Sequence, residues 1–260
     1  MQKIKNPFLF ILIILMIILN PLPLLSFSAN QINAQNHLNN YRVLTSLPLV
    51  LLNENLNQSA EAHSKYLMIN FEDQSAFIPD YHHEVKGKPE YFAETPLERI
   101  LLTGYNAAYA SEVLTIFWGL NNFDLLYKEA IDGWVNSVYH RFPVLNPNLT
   151  EFGYGEGYVD DKAAITIDYA STYFVNSKQN VIYPVENGIN IPTLFSGDEV
   201  PEPLPNANYP VGYPVSITFW GSNFTFEEAS IKDSFGNSIN SYVLAPDYSP
   251  YMSNSAVLVP

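Results

Sequence analysis

The sequence predicts an α+β protein: a helical and sheet-forming unit over residues 30–180, then a small all-β unit over residues 211–260. Three observations carry this reading. Leu52, Leu56, Ala60, His63 and Leu67 recur at steps of three to four, one apolar stripe of a helix. Ala163, Ile165 and Ile167 alternate with Ala164, Thr166 and Asp168, the period of a strand. Between Pro184 and Pro214 lie seven prolines, after which Val215 to Trp220 is strongly β-prone.

The elements follow in chain order. Residues 30–70 read as helical, with Pro48 separating a short helix around Leu38 and Tyr41 from the striped one. Residues 71–94 read as loop, with Pro79, Gly87 and Pro89. Thr95, Pro96 and Glu98 start a third helix: Thr caps it, Pro suits the first turn, and Glu98 completes a capping box. A fourth helix is predicted from Asp124 to Tyr139, burying Leu125, Leu126, Ala130, Ile131, Trp134, Val135 and Val138, and Pro143 and Pro147 stop it. Gly153 to Val159 and Ala163 to Tyr169 form a hairpin turning at Asp160, Asp161 and Lys162. Helices beside a small antiparallel sheet make an α+β unit. Residues 181–210 read as a Pro-rich linker. The remaining residues read as a β-sandwich-like, Ig-like domain too short to be complete, so the sequence is read as a fragment.

The N-terminus reads as an export signal over residues 1–29. Lys3 and Lys5 precede the apolar run Phe8 to Leu19; Asn20, Pro21 and Pro23 break it, and Ser26, Ser28 and Ala29 follow. The run is short for a membrane span, which needs roughly 20 apolar residues. The alternative is an uncleaved anchor extended by Leu22, Leu24 and Leu25. With the signal cleaved, no transmembrane domain is expected and the chain is secreted or held at the cell surface.

The chain has 26 acidic and 12 basic residues, a net charge of −14. It repels phosphate backbones, so nucleic acid is excluded as a partner. There is no cysteine, which excludes disulfides, thiol catalysis and a lipoprotein anchor. A secreted chain without cysteine points to a bacterial origin.

Five sequence pieces occur in a telling order. They are Leu38-Asn-Asn-Tyr-Arg42 with Leu52-Asn-Glu-Asn-Leu56; Ala60-Glu-Ala-His63; Tyr81-His82-His83-Glu84 with Tyr91; Ala110-Ser-Glu112-Val113; and Asp132-Gly-Trp134-Val-Asn-Ser137-Val-Tyr-His140-Arg141 with Glu151-Phe-Gly153-Tyr-Gly155. Together, from Leu38 to Gly157, they resemble the CAP superfamily of cysteine-rich secretory, antigen 5 and pathogenesis-related-1 proteins, in its bacterial, SCP-like form. The resemblance implies an α-β-α sandwich with a shallow cleft holding two histidines and acidic residues, and in some members a divalent metal such as zinc. Carried over by motif, the cleft residues are His82, Glu112 and His140, with His82 and His140 as the metal ligands. His83 competes with His82; His82 fits the pattern His, one residue, then Glu. A second acidic residue of many eukaryotic members falls near Ser137, where this chain has serine.

Without the resemblance, two imidazoles and a carboxylate make a borderline set for zinc. His63, on the apolar stripe, reads as a buried histidine bonded within the core, and Trp134 as core. Arg141 reads as pairing with a carboxylate or backbone. No zincin motif and no nucleophile elbow is present. Ser137 and His140, three apart, could touch, but no third orienting group is evident. The expected function is an extracellular binding module for lipid, peptide or cell-wall glycan. The alternatives are a metal-dependent hydrolase with Glu112 as base, and a structural or adhesive surface protein.

Overall fold

A computed structural model describes residues 27–71, 81–174, 177–222, 224–246, 249 and 252–260. The export segment before Phe27, part of the loop after Phe71 and the turn residue Asn223 lie outside the described residues. Among the described residues no helix is long and apolar enough to cross a membrane.

The first unit has three layers. Its elements are α1 (Ala29–Leu44), β1 (Leu51–Leu52), α2 (Glu54–Asn70), α3 (Pro96–Leu102), β2 (Tyr109–Phe117), α4 (Leu126–Asn136), α5 (Arg141–Val144), β3 (Glu151–Val159) and β4 (Lys162–Ser171). The sheet order is β1-β3-β4-β2, with β1 parallel to β3 and the other pairs antiparallel. Strand β4 is central and buried on both faces. Its Ala163, Ile165, Ile167 and Tyr169 join a core with Ala34 and Leu38 of α1 and Ile131, Trp134 and Val135 of α4. Its Ala164 and Ala170 join clusters with Leu67 and Leu56 of α2 on the other face. The α-β-α arrangement follows from strands whose two alternating faces are both apolar enough to be covered.

Local chemistry sets the helix starts. Thr95 and Glu98 form the expected capping box on α3. Ser28 and Gln31 form a second one on α1, which therefore begins earlier and runs longer than its apolar pattern suggested. Helix α4 is shorter than expected: it starts after Leu125, held at φ +62, and ends at Asn136, so Leu125 is exposed rather than on the buried face, and Val138, though buried, lies beyond the helix in a different cluster. Strand β2 has no counterpart in the sequence reading.

The helix–sheet contact is set by three glycines. A Cβ added to Gly153, Gly155 or Gly157 would lie 1.9, 2.1 or 2.4 Å from backbone atoms of Leu56, Ala60 or Ser64. Helix α2 therefore rests backbone to backbone on β3. Asn57 Oδ1 accepts the Tyr154 amide at 2.9 Å, and Ser64 Oγ donates to the Gly155 carbonyl at 3.1 Å.

The C-terminal strands form a second four-stranded sheet, β11 (Tyr242–Leu244), β12 (Ser255–Val259), β8 (Val215–Trp220) and β5 (Gln179–Tyr183), all antiparallel. Two-residue ladders join β6 (Leu194–Phe195) to β7 (Val211–Gly212) and β9 (Ile231–Lys232) to β10 (Ser238–Ile239). The expected linker over 181–210 is corrected here. It holds the end of β5 and all of β6, and it buries Phe195, Glu199 and Leu204. The expected boundary at residue 180 cuts through β5, which pairs with β8. The physical reason is composition: apolar and aromatic residues lie between the prolines, and they pack. Val181, Tyr183 and Tyr213 belong to the main core of the first unit.

The glycine seam gives a paired prediction. Gly155→Ala should destabilise the chain by about 3 kcal/mol, because the added methyl meets rigid backbone. Gly133→Ala, a helical glycine whose Cβ would meet nothing within 4 Å, should stabilise by roughly 0.5–1 kcal/mol. Urea unfolding of both variants checks the opposite signs; equal effects would contradict the seam.

Candidate functional site

The site is assembled on α2. His63 is fully buried there. Its Nδ1 lies 2.9 Å from Glu84 Oε1 and its Nε2 2.9 Å from the Tyr81 carbonyl. Both ring nitrogens face acceptors, so the ring satisfies both only as imidazolium. Glu84 Oε2 accepts the Phe92 amide at 2.7 Å, and Tyr66 Oη accepts the Val85 amide at 2.8 Å. One turn of α2 thus holds the loop that carries His82. His63 is a core histidine, as the apolar stripe indicated, and also the support of the site.

Arg99 of α3 completes the support. Its guanidinium, fully buried, donates to the His82 carbonyl at 3.1 and 3.2 Å and to Glu112 Oε2 at 2.6 Å. Glu112, on β2, meets His82 Nδ1 at 2.8 Å through its other oxygen. Burial pushes the Glu112 carboxyl up, but His63, Arg99 and His82 together outweigh it and hold it well below the usual carboxylate range. Glu84 and Glu112 face Arg99 and His63 in one buried cluster.

Asp168 of β4 is the surplus acid. It is fully buried and lies directly across from Glu112 in the strand register. Burial first, and the charge of Glu112 second, push its carboxyl well above the usual range, so it is held neutral.

His140 reaches the site from the corner between α4 and α5. Its Nδ1 lies 2.8 Å from Glu199 Oε1. Glu199 also accepts the backbone amides of Val138 at 2.8 Å, Tyr139 at 2.6 Å and His140 at 2.9 Å. Burial raises the Glu199 carboxyl; these donors, His140 first, more than reverse it and keep it ionised.

His82 and His140 line one cavity of about 460 Å³. Its walls include Phe71, Tyr81, Trp118 and Trp134. Of the two adjacent histidines, His82 is the one that lines it. Glu112 lies behind His82, outside the cavity wall. Trp134 is buried, donates from Nε1 to the Leu114 carbonyl at 3.1 Å, and also forms part of the wall. Ser137 Oγ donates to the Trp134 carbonyl at 2.8 Å, so it is not aligned on His140 as a nucleophile. Arg141 turns away from the cavity. It donates to the Val135 and Pro214 carbonyls and to Ser216 Oγ, and it stacks on Tyr183 and Tyr213, 4.9 and 5.3 Å from the ring centroids.

Among the described residues no three His, Cys, Asp or Glu side chains gather into a metal site. Glu112 is taken up by His82 and Arg99, and Glu199 by His140 and three amides. The cavity wall carries the two imidazoles together with the carboxylates of Glu129, Asp198 and Glu199.

The sequence reading named His82, Glu112 and His140 together as cleft residues; His82 and His140 line the cavity, and Glu112 lies behind His82 rather than in its wall. Arg99 gave no sequence signal, and Glu199 lay hidden in the Pro-rich stretch.

The cysteine-rich secretory protein family model, CAP, matches residues 35–175, more than half of the chain. The chain belongs to the CAP family. Among solved structures it is similar to an extracellular protein with an SCP domain from Bacillus anthracis: 23% identity, 54% of this chain, 40% of that one, TM-score 0.40. It is similar to an outer surface protein of Borrelia burgdorferi: 15% identity, 56% of this chain, 95% of that one, TM-score 0.40. A cysteine-rich secretory protein of Staphylococcus aureus shares 18% identity over 58% of this chain and 42% of that one, TM-score 0.37. The chain thus spans well under half of the Bacillus and Staphylococcus proteins. No curated protein sequence matches it.

The neutral Asp168 predicts a pH dependence. Its folded value lies above the ordinary 3.8, so above that pH the folded chain holds a proton the unfolded chain has lost. The proton excess in the folded state makes this group's contribution to stability fall as pH rises. Asp168→Asn removes the titration and keeps an amide donor. The variant should gain stability relative to wild type steadily from pH 4 to pH 7. Denaturant unfolding at several pH values checks this; a difference independent of pH would show that Asp168 ionises normally.

Proposed function

We propose that this chain is an extracellular binding module whose aromatic, histidine-lined cleft takes a ligand rich in hydrogen-bond donors, a cell-wall glycan ahead of a basic peptide. The observation that carries the reading is the make-up of the cavity wall. Trp118 is 58% exposed and offers a ring face for stacking. The polar lining includes His82, His140, Ser137, Glu129, Asp198 and Glu199. Among the described residues no lysine or arginine lines it. Such a wall accepts hydrogen bonds and attracts cations, and with a net charge of −14 it repels anionic lipid surfaces.

The hydrolase alternative is weaker on the same ground. A general base works best with a pKa near the operating pH. Glu112 is held far below it and sits behind His82. A bound metal would have His82 and His140 as its protein ligands, and nothing in the reading above depends on it.

The test is calorimetric titration of the purified chain with chitooligosaccharide, a lysine-rich peptide and anionic phospholipid vesicles. The first should bind, and Trp118→Ala and His82→Ala should each weaken it about tenfold or more, roughly 1.4 kcal/mol. Binding of vesicles alone, or affinity untouched by both substitutions, would refute the reading. Elemental analysis of the same samples supplies a further check. Stoichiometric zinc lost in both His82→Ala and His140→Ala would replace it with a metal-centred one.

A further inference from the structure

We infer that Glu199, which lies outside the family-matched residues 35–175, is a positioning residue that fixes the tautomer and direction of His140 in the cleft. Its carboxylate is 1% exposed and is bonded to four nitrogens. Three are backbone N–H groups, which can only donate. A carboxylate already receiving three N–H bonds has no proton to give, so the fourth partner, His140 Nδ1, is the donor. The neutral ring then carries its proton on Nδ1 and turns a lone pair on Nε2 away from Glu199.

His82 is set up the same way from a different segment. Glu112 receives Arg99 Nη2 on one oxygen and His82 Nδ1 on the other. It has no proton to offer either, so His82 Nδ1 also donates. Two imidazoles lining one cavity thus each have Nδ1 pinned by a buried carboxylate. One carboxylate comes from β2 inside the family-matched region. The other comes from the Pro-rich segment beyond it, while the helical position near it is Ser137, spent on the Trp134 carbonyl. The inference concerns the same cleft as the binding reading, but its test uses no ligand, so either can fail alone.

The experiment is long-range proton–nitrogen NMR of the ¹⁵N-labelled full chain, in wild type and in Glu199→Ala, at a pH where His82 and His140 are neutral. Wild type should show both rings protonated on Nδ1. In Glu199→Ala, His140 should move to the Nε2-protonated form that free histidine favours, while His82 stays as it was. His140 protonated on Nε2 in wild type would overturn the inference, as would an unchanged His140 signal in a folded Glu199→Ala chain. If Glu199→Ala does not fold, the wild-type spectrum decides: His140 protonated on Nδ1 sustains the assignment and the Nε2 form removes it.

Discussion

The rest of the structure depends on the contact between α2 and β3 along Gly153, Gly155 and Gly157. Two strand residues advance about 6.6–6.8 Å and four helix residues about 6.0 Å. The two repeats nearly coincide, so every second residue of β3 meets every fourth residue of α2: Leu56, Ala60, Ser64. Only glycine leaves room for that approach, and the approach holds α2 at one height above the sheet. His63 and Tyr66, on the same helix, are thereby fixed over the loop that carries His82. A side chain at any of the three glycines would lift the helix and everything hung from it.

Within that layer the chain buries four ionisable side chains, His63, Glu84, Arg99 and Glu112, where apolar packing would be simpler. Removing one partner of such a set is costly, because it leaves an uncompensated charge in the interior. The arrangement makes sense as a frame for His82. Arg99 grips both the His82 carbonyl and the carboxylate that grips the His82 ring, so main chain and side chain are held by one guanidinium. A loop residue gains the fixed direction normally available only on a helix or strand. Asp168, beside this cluster, is pushed towards its neutral form because burial and the charge of Glu112 outweigh the pull of Arg99.

Much of this was legible in the sequence, and the failures have physical causes. The stripe on α2, the capping box on α3 and the β3–β4 hairpin are local patterns, and they appear where periodicity put them. Glu112 and the two histidines could be named because residue types at motif spacing survive without structural knowledge. Strand β2 was invisible because polar residues interrupt both of its faces, Ser111 and Thr115 on one and Glu112 on the other, so no clean apolar alternation remains. Arg99 was invisible because nothing local distinguishes a buried arginine from a surface one. Glu199 was misplaced because proline density was read as a linker. Proline limits φ and removes a donor, but it does not prevent the residues between prolines from packing, and Phe195, Leu204 and Val211 pack.

That misreading bears on how the two parts of the chain relate. Four consecutive residues at the corner after α4 are held by groups that follow residue 175. The amides of Val138, Tyr139 and His140 go to Glu199, and the Arg141 guanidinium goes to Pro214, Ser216 and the rings of Tyr183 and Tyr213. Helix α5 is a single turn, with no side-chain cap on its first residue. It has little of its own to fix the corner, and Glu199 holds the three amides that lead into it. Tyr183 and Tyr213 lie in the same core cluster as Ile131 and Trp134. The second sheet is therefore not a module tied on by a tether. It is packed into the wall of the first unit, and the direction of one cleft histidine is written in residues that the family pattern does not reach.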